Sequence, residues 1–103
     1  MFESRSLEGV PAEATLQFIE VRLPPGAEAS VHTHTGPEFI FGASGRFDYE
    51  NALEGARRFR AGDMAGIPPG TPVQKRNTAS REAVFLSWFL VDPAEPFAPP
   101  ARF

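Results

Sequence analysis

Apolar and polar residues alternate along short stretches of this chain, and no stretch keeps a helical period. Successive side chains of a strand point to opposite faces, so this alternation predicts half-buried β-strands. Glycine and proline separate the stretches, as Pro24-Pro25-Gly26 does after the first. The pattern predicts eight short strands, over residues 15–23, 29–34, 38–41, 46–50, 56–60, 64–67, 73–77 and 83–91. We therefore expect an all-β sandwich or jelly roll.

The two ends of the chain lack this alternation. Residues 92–103 contain four prolines, and the first fifteen residues are weakly patterned. We interpret both as extended arms on one domain that covers residues 1–103, with its core at about 15–91. A length of 103 residues is enough for one modest hydrophobic core.

Composition narrows the class of protein. Apolar residues make up 42% of the chain and include ten Phe, which is typical of a packed globular protein. The net charge is −3 with both signs interspersed, which argues against a nucleic-acid surface. Residues 1–5 show no apolar signal stretch, and no apolar run approaches the length of a membrane span. The absence of cysteine fits a reducing compartment, so we expect a cytoplasmic protein with no membrane partner.

The two histidines of the chain lie two residues apart, in His32-Thr33-His34. Residues i and i+2 of a strand share one face, so the two imidazoles are expected to project side by side. Glu38 follows four residues later and offers a carboxylate as a third ligand. Two imidazoles and a carboxylate suit Zn, Fe, Mn, Ni or Cu, and the sequence does not distinguish among these metals.

The spacing around these residues resembles the first conserved motif of the cupin family. Gly26, His32, His34, Glu38 and Gly45 each match a fixed position of that motif. A second stretch resembles the second cupin motif, with Gly62, Pro68-Pro69-Gly70, Thr71-Pro72 and Asn77. It departs at one position, because Val73 stands where the family has a histidine.

The resemblance implies an antiparallel jelly-roll β-barrel that holds a metal on His32, His34 and Glu38. The family's fourth ligand is missing, since Val73 has no donor atom. Three ligands leave open positions for water, a bidentate substrate, or a substrate with dioxygen. Another interpretation is that the metal site has degenerated and the cavity holds an organic ligand. The cavity wall is predicted to be apolar, with Ile40, Phe47, Tyr49, Met64, Val73 and Trp88 as candidates.

Strand parity also predicts an interaction surface. If Glu38 points inward, Ile40 does too, and Phe39 and Phe41 point outward. Two outward phenylalanines need a cover, either a terminal arm carrying Phe97 and Phe103 or a second subunit. Because cupins are frequently dimers, the resemblance favours a homodimer. An irregularity near Gly42 would reverse this parity.

Three functions remain open at this stage. The first is a metal-dependent enzyme acting on a small molecule, of dioxygenase or of isomerase or lyase type. The second is a non-catalytic module that binds a small molecule, and the third is a barrel that has lost its function. No catalytic base stands out beyond Glu38, and no set of residues identifies the substrate. Fold alone does not choose among these functions.

Overall fold

A computed structural model describes residues 9–103 of the chain. The first eight residues lie outside the described range. They include residues 1–5 and the start of the predicted N-terminal arm. The strands are β1 (Thr15–Leu23), β2 (Glu38–Ser44), β3 (Arg46–Asn51), β4 (Gly55–Arg60), β5 (Met64–Ile67), β6 (Val73–Arg76) and β7 (Ala83–Val91). Residues 9–103 contain no helix, and therefore no helix able to cross a membrane. The all-β prediction is confirmed.

The strands form two antiparallel sheets. The four-stranded sheet has the order β1-β7-β2-β5, and the three-stranded sheet has the order β4-β3-β6. Gly45, between β2 and β3, and Gly55, at the end of the β3–β4 turn, both have positive φ, at 67° and 83°. Glycine adopts this conformation without the steric cost that other residues meet.

The predicted strand at 29–34 does not form as a regular strand. Its segment makes isolated bridges to β6, Glu28 with Arg76 and His32 with Val73, and His32 also bridges to Pro100 of the C-terminal arm. The arm contributes prolines here, and proline has no N–H to extend a ladder of hydrogen bonds. The segment is therefore an irregular edge beside β6.

The core lies between the two sheets and follows the predicted parity. Val21 and Leu23 on β1 and Phe47 and Tyr49 on β3 turn inward as predicted. The buried cluster joins residues of all seven strands, namely Leu23, Ile40, Phe47, Tyr49, Phe59, Ile67, Val73, Ala83 and Phe85. Apolar burial of this kind stabilises a fold by about 25 cal/mol per Å² removed from water.

Outward parity on the four-stranded sheet is also as predicted. Glu38 and Ile40 are buried, whereas Phe39 and Phe41 are only half-buried on the opposite face. The register of β2 against β7 shifts between Gly42 and Ser44, after these positions, and so leaves their parity unchanged.

The C-terminal arm does not cover this outer face. Phe97 packs inward, with its ring centroid 4.9 Å from that of Phe89 and 4.8 Å from that of His34. Phe103 is 52% exposed. The expectation that Phe97 covers Phe39 and Phe41 is therefore wrong, because Phe97 lies on the inner side of the sheet.

Candidate metal and ligand centre

The histidine segment is held by backbone hydrogen bonds on several sides. His32 exchanges N–H···O bonds with Val73 of β6, and Thr33 donates to the Pro99 carbonyl of the C-terminal arm. Gly70 donates to the His34 carbonyl. The two imidazole rings lie side by side as the sequence predicts, with centroids 4.9 Å apart and planes at 86°.

Both rings use Nδ1 to contact a backbone carbonyl oxygen. His32 Nδ1 lies 2.6 Å from the Ser30 oxygen, and His34 Nδ1 lies 2.6 Å from the Phe97 oxygen. A carbonyl only accepts, so Nδ1 carries the proton and Nε2 of a neutral ring carries the lone pair. Metal-bound histidines commonly have this arrangement, because the second hydrogen bond fixes the tautomer and the orientation of the ring.

His34 is held in its neutral form by its surroundings. Burial lowers the pKa of His34 below its ordinary value, and the nearby charge of Glu38 opposes this only in part. The side chain is 5% exposed, and its Nε2 has no hydrogen-bond partner in the described part of the chain. A buried, neutral imidazole with a free Nε2 is a competent metal ligand.

Glu38 lies at the start of β2, and its carboxylate points towards His34 Nε2. Its Oε1 is 4.0 Å from His34 Nε2 and, like that nitrogen, is buried without a hydrogen-bond partner within residues 9–103. Its Oε2 accepts a hydrogen bond from Lys75 Nζ at 2.9 Å, in an ion pair whose two side chains are 6% and 2% exposed. The Lys75 ammonium also lies 5.1 Å from the centroid of the Phe85 ring.

Sequence reasoning missed Lys75, although a signal for it was present. It follows Val73 by two residues on β6, so the two share one face of the strand. The position that lacks the expected histidine is thus followed, on the same face, by a cation. Gln74 lies between them and, by strand parity, faces the other way.

The residues present fit a metal in part. His34 Nε2 and Glu38 Oε1 could both act as metal ligands, and neither has a hydrogen-bond partner in the described part of the chain. They lie 4.0 Å apart, and metal bonds of about 2.1 Å would draw them somewhat closer. His32 lies beside His34, but within residues 9–103 no three His, Cys, Asp or Glu side chains stand close enough to form a ready metal site. Val73 is buried and apolar and supplies no ligand. The three-ligand set His32, His34 and Glu38 stays a prediction.

A small cavity lies beside the histidines, with a volume of about 130 Å³. It opens between β1, β7, the histidine segment and the C-terminal arm. Its walls are largely apolar, and its polar side chains come from four residues. The lining residues are Ile19, Val21, Ala29, His32, His34, Lys75, Phe85, Ser87, Phe89, Phe97 and Ala98.

None of the six residues predicted for the cavity wall lines this cavity. Ile40, Phe47, Tyr49 and Val73 are buried core residues outside this lining. Met64 is 71% exposed, and Trp88 is half-buried on the outer face, where its ring packs edge-on against Phe18. The first four turn inward, as their strand parity predicts, whereas this cavity lies beside β1 and β7.

Solved structures share this architecture. A DMSP lyase, DddQ, from Ruegeria pomeroyi matches with a TM-score of 0.71 and 25% identity, over 79% of this chain and 41% of that one. A sugar phosphate isomerase of the cupin superfamily from Silicibacter pomeroyi matches with a TM-score of 0.68 and 29% identity, over 76% of this chain and 52% of that one. The chain thus spans about half the length of these two proteins.

A third structure matches over most of both chains. It is an uncharacterised conserved protein with a double-stranded β-helix domain from Klebsiella pneumoniae, with a TM-score of 0.71 and 22% identity over 91% of this chain and 89% of that one. This likeness confirms the jelly-roll prediction. A search of curated proteins finds no match.

The family comparison agrees with the motif spacing. A family model described as "Cupin domain" matches residues 19–89, a range that contains both histidines, Glu38 and Lys75. Since this match covers more than half of the sequence, the chain belongs to the cupin family.

Proposed function

We propose that this chain is a metal-dependent enzyme that holds a divalent transition metal on His32, His34 and Glu38 and acts on a small molecule in the adjacent cavity. One observation carries the proposal. Among the residues that the structure describes, His34 Nε2 and Glu38 Oε1 are buried, 4.0 Å apart and without hydrogen-bond partners. A buried polar atom without a partner is costly unless something binds it.

The chain's own residues would hold the metal and keep its surroundings dry. The Ser30 and Phe97 carbonyls orient the two rings, and Phe89 and Phe97 pack against His34. A bound metal supplies Lewis-acid chemistry, polarising a carbonyl or a similar oxygen. Because Val73 contributes no donor, positions remain open for a substrate.

The structural neighbours support a lyase or isomerase reaction over a dioxygenase reaction. Of the three neighbours at 25% identity or more, one is a DMSP lyase, one is a sugar phosphate isomerase, and the third is a cupin-like protein whose name gives no activity. The lyase and the isomerase are about twice as long as the matched region, so their substrates are not carried over to this chain. A dioxygenase remains an outcome that the metal's identity would reveal.

The experiment is the metal content of tag-free protein, measured by inductively coupled plasma mass spectrometry before and after reconstitution. We expect about one equivalent in the wild type and a loss of bound metal in His34→Ala. The matched control is Thr33→Ala, which lies between the histidines and whose anchoring bond runs through its backbone N–H. No metal in the wild type after reconstitution would contradict the proposal.

One observation favours a second candidate, a non-catalytic module that binds a small molecule without metal. Lys75 already gives Glu38 a positive partner at 2.9 Å, so the carboxylate charge is balanced in the protein alone. In that case wild type and His34→Ala would bind the same organic ligand, and neither would retain metal.

We also propose a homodimer that forms through the outer face of the four-stranded sheet. We call the outer face the surface formed by Leu16, Phe18, Phe39, Phe41, Met64, Leu86, Trp88 and Leu90. The strand register places these side chains in adjoining rows, with Trp88 opposite both Phe18 and Phe39, and Phe41 opposite both Leu86 and Met64.

The exposure of the outer face supports this proposal. Leu16 is 63% exposed, Phe18 55% and Met64 71%. Contiguous exposed apolar surface marks interaction sites. Glu20 and Arg22, which the register places on the same face, lie on the edge strand β1 and pair with each other at 2.8 Å. Sedimentation equilibrium should give twice the 11.2 kDa chain mass. A monomer mass at every concentration would contradict it.

A cytoplasmic location is part of the same proposal. It is supported by the absence of cysteine from the sequence, which is typical of proteins in reducing compartments.

A further inference from the structure

We propose that the ligand of this cavity is a small carboxylate and that Lys75 is the residue that recognises its charge. The inference deepens the proposed function, on which it rests for the role of the metal. It starts from the polar groups that the cavity leaves without partners.

Lys75 has hydrogen-bonding capacity to spare. An ammonium has three N–H donors, and in the described part of the chain its one acceptor is Glu38 Oε2. The Phe85 ring lies on another side of it at 5.1 Å. The side chain also lines the cavity, so a further donor is available to a ligand there.

Two other unpaired groups line the same cavity. Ser87 is fully buried, and its Oγ has no partner among residues 9–103. His34 Nε2 is unpaired as well. The remaining wall is apolar, with Ile19, Val21 and the rings of three phenylalanines, so none of it replaces water around these groups. A ligand has to bring acceptors for Lys75 and Ser87, whereas the lone pair of His34 Nε2 is left for the metal of the proposed function.

The net charge of the site indicates the charge of the ligand. With Glu38 and Lys75 paired, the centre is neutral; a divalent metal on Glu38 and the neutral histidines raises it to two positive charges. Buried charge is tolerated where it is paired. The lining offers no carboxylate of its own. A carboxylate ligand accepts from Lys75 and Ser87 and offsets part of this charge.

Volume limits the size of the ligand. The cavity of about 130 Å³ is the room taken by roughly four water molecules at ~30 Å³ each. A nucleotide is too large, whereas an acid with a short carbon chain fits. Propionate and propionamide make a matched pair of probes, since they share a shape and differ in charge.

The experiment is an NMR titration of zinc-loaded, tag-free protein with each probe, zinc being diamagnetic. We expect propionate to bind the wild type about tenfold or more tightly than propionamide, since hydrogen bonds to charged groups are the stronger ones. Lys75→Met should lose this preference. Gln74→Met, its neighbour on the other face of β6, should keep it.

Equal affinity of the wild type for both probes, or a preference that survives in Lys75→Met, would overturn the inference. Zinc stoichiometry in the same samples tests the proposed function separately. If no zinc binds, that function fails, and the zinc-free titration decides on Lys75 by the same comparison. If Lys75→Met does not fold, Ser87→Ala decides: propionate affinity about threefold weaker supports the inference, and unchanged affinity overturns it.

Discussion

The two faces of the four-stranded sheet depart in opposite ways from the usual burial of apolar residues and exposure of polar ones. The inner face buries an ion pair, a histidine and a serine among phenylalanines, while the outer face exposes phenylalanine, leucine and methionine to water. Strand β7 contributes to both, with Ser87 turned inward and Trp88 turned outward. The partners that we propose for the two faces differ accordingly: a small polar ligand inside and a second apolar surface outside.

The largest effect is expected from breaking the inner ion pair. Glu38→Gln leaves the Lys75 ammonium buried without a counter-charge, which should lower the free energy of unfolding by about 3–5 kcal/mol in metal-free protein. Urea denaturation in the presence of a chelator measures it.

The control is an exposed ion pair. Glu50→Gln breaks the pair with Arg76, whose atoms are 3.5 Å apart and whose side chains are 32% and 44% exposed. Such pairs contribute about 0–1 kcal/mol. Equal losses in the two variants would mean that burial of Lys75 and Glu38 has no energetic consequence.

The outer face should respond to a single charge. Phe18→Lys places an ammonium next to Trp88 and should raise the dimer dissociation constant about thirtyfold, since apolar anchors at interfaces contribute about 2 kcal/mol or more. Trp88 is the one tryptophan of the chain, so its emission should shift to the red as the dimer dissociates.

Leu53→Lys is the matched control, because Leu53 is 66% exposed in the β3–β4 turn, away from the outer face. A dissociation constant unchanged by Phe18→Lys, measured by sedimentation, would place the dimer interface elsewhere.

Adding one methyl group is expected to have different effects at two glycines, Gly36 near the site and Gly66 on the outer face. Gly36 lies between His34 and Glu38, and a Cβ there would overlap the Leu90 carbonyl oxygen. Gly36→Ala should therefore cost about 1–3 kcal/mol and weaken zinc binding, because the loop that sets the distance from His34 to Glu38 must move.

At Gly66, on β5, a Cβ would meet the Phe39 ring at an ordinary 3.5 Å. Gly66→Ala should be neutral or stabilise by about 0.4–1 kcal/mol. Urea midpoints and zinc titrations of both variants measure the contrast. A Gly36→Ala protein with wild-type zinc affinity would show that the loop does not position the site.

The sequence allowed the strands and the histidine pair to be predicted because both depend on local periodicity. Three strands, β1, β5 and β7, have the predicted bounds, and the inward parity of Glu38 and the outward parity of Phe39 and Phe41 follow from alternation alone. The segment at 29–34 failed as a strand because its neighbour on one side is a proline-rich arm, which alternation does not reveal.

The cavity wall and Lys75 were not predictable in the same way. Inward parity says that a side chain faces the core, but the position of the cavity depends on how the C-terminal arm packs. Phe97 and Ala98 close the cavity from more than sixty residues beyond the histidines in sequence. Lys75 was not predicted because its burial depends on an ion pair with Glu38, a residue distant in sequence, and strand alternation does not reveal such a contact.

The smallest effect is expected at a polar contact that lies away from both the site and the outer face. Thr78 Oγ1 donates a hydrogen bond to Asp48 at 2.7 Å, and this bond, helped by Arg58, lowers the pKa of Asp48 below its ordinary value. A depressed carboxyl pKa stabilises the fold above about pH 4, and this stabilisation is lost as the pH falls through the pKa of the folded state. Because the Asp48 side chain is 33% exposed, solvent screening limits the contribution to about 0.5–1 kcal/mol.

Thr78→Val should thus be less stable than wild type at pH 6, and the difference in the free energy of unfolding should shrink towards pH 3. Thr78→Ser should behave as wild type. A pH-independent difference in the urea midpoints would assign the effect of Thr78 to packing instead of to the Asp48 charge.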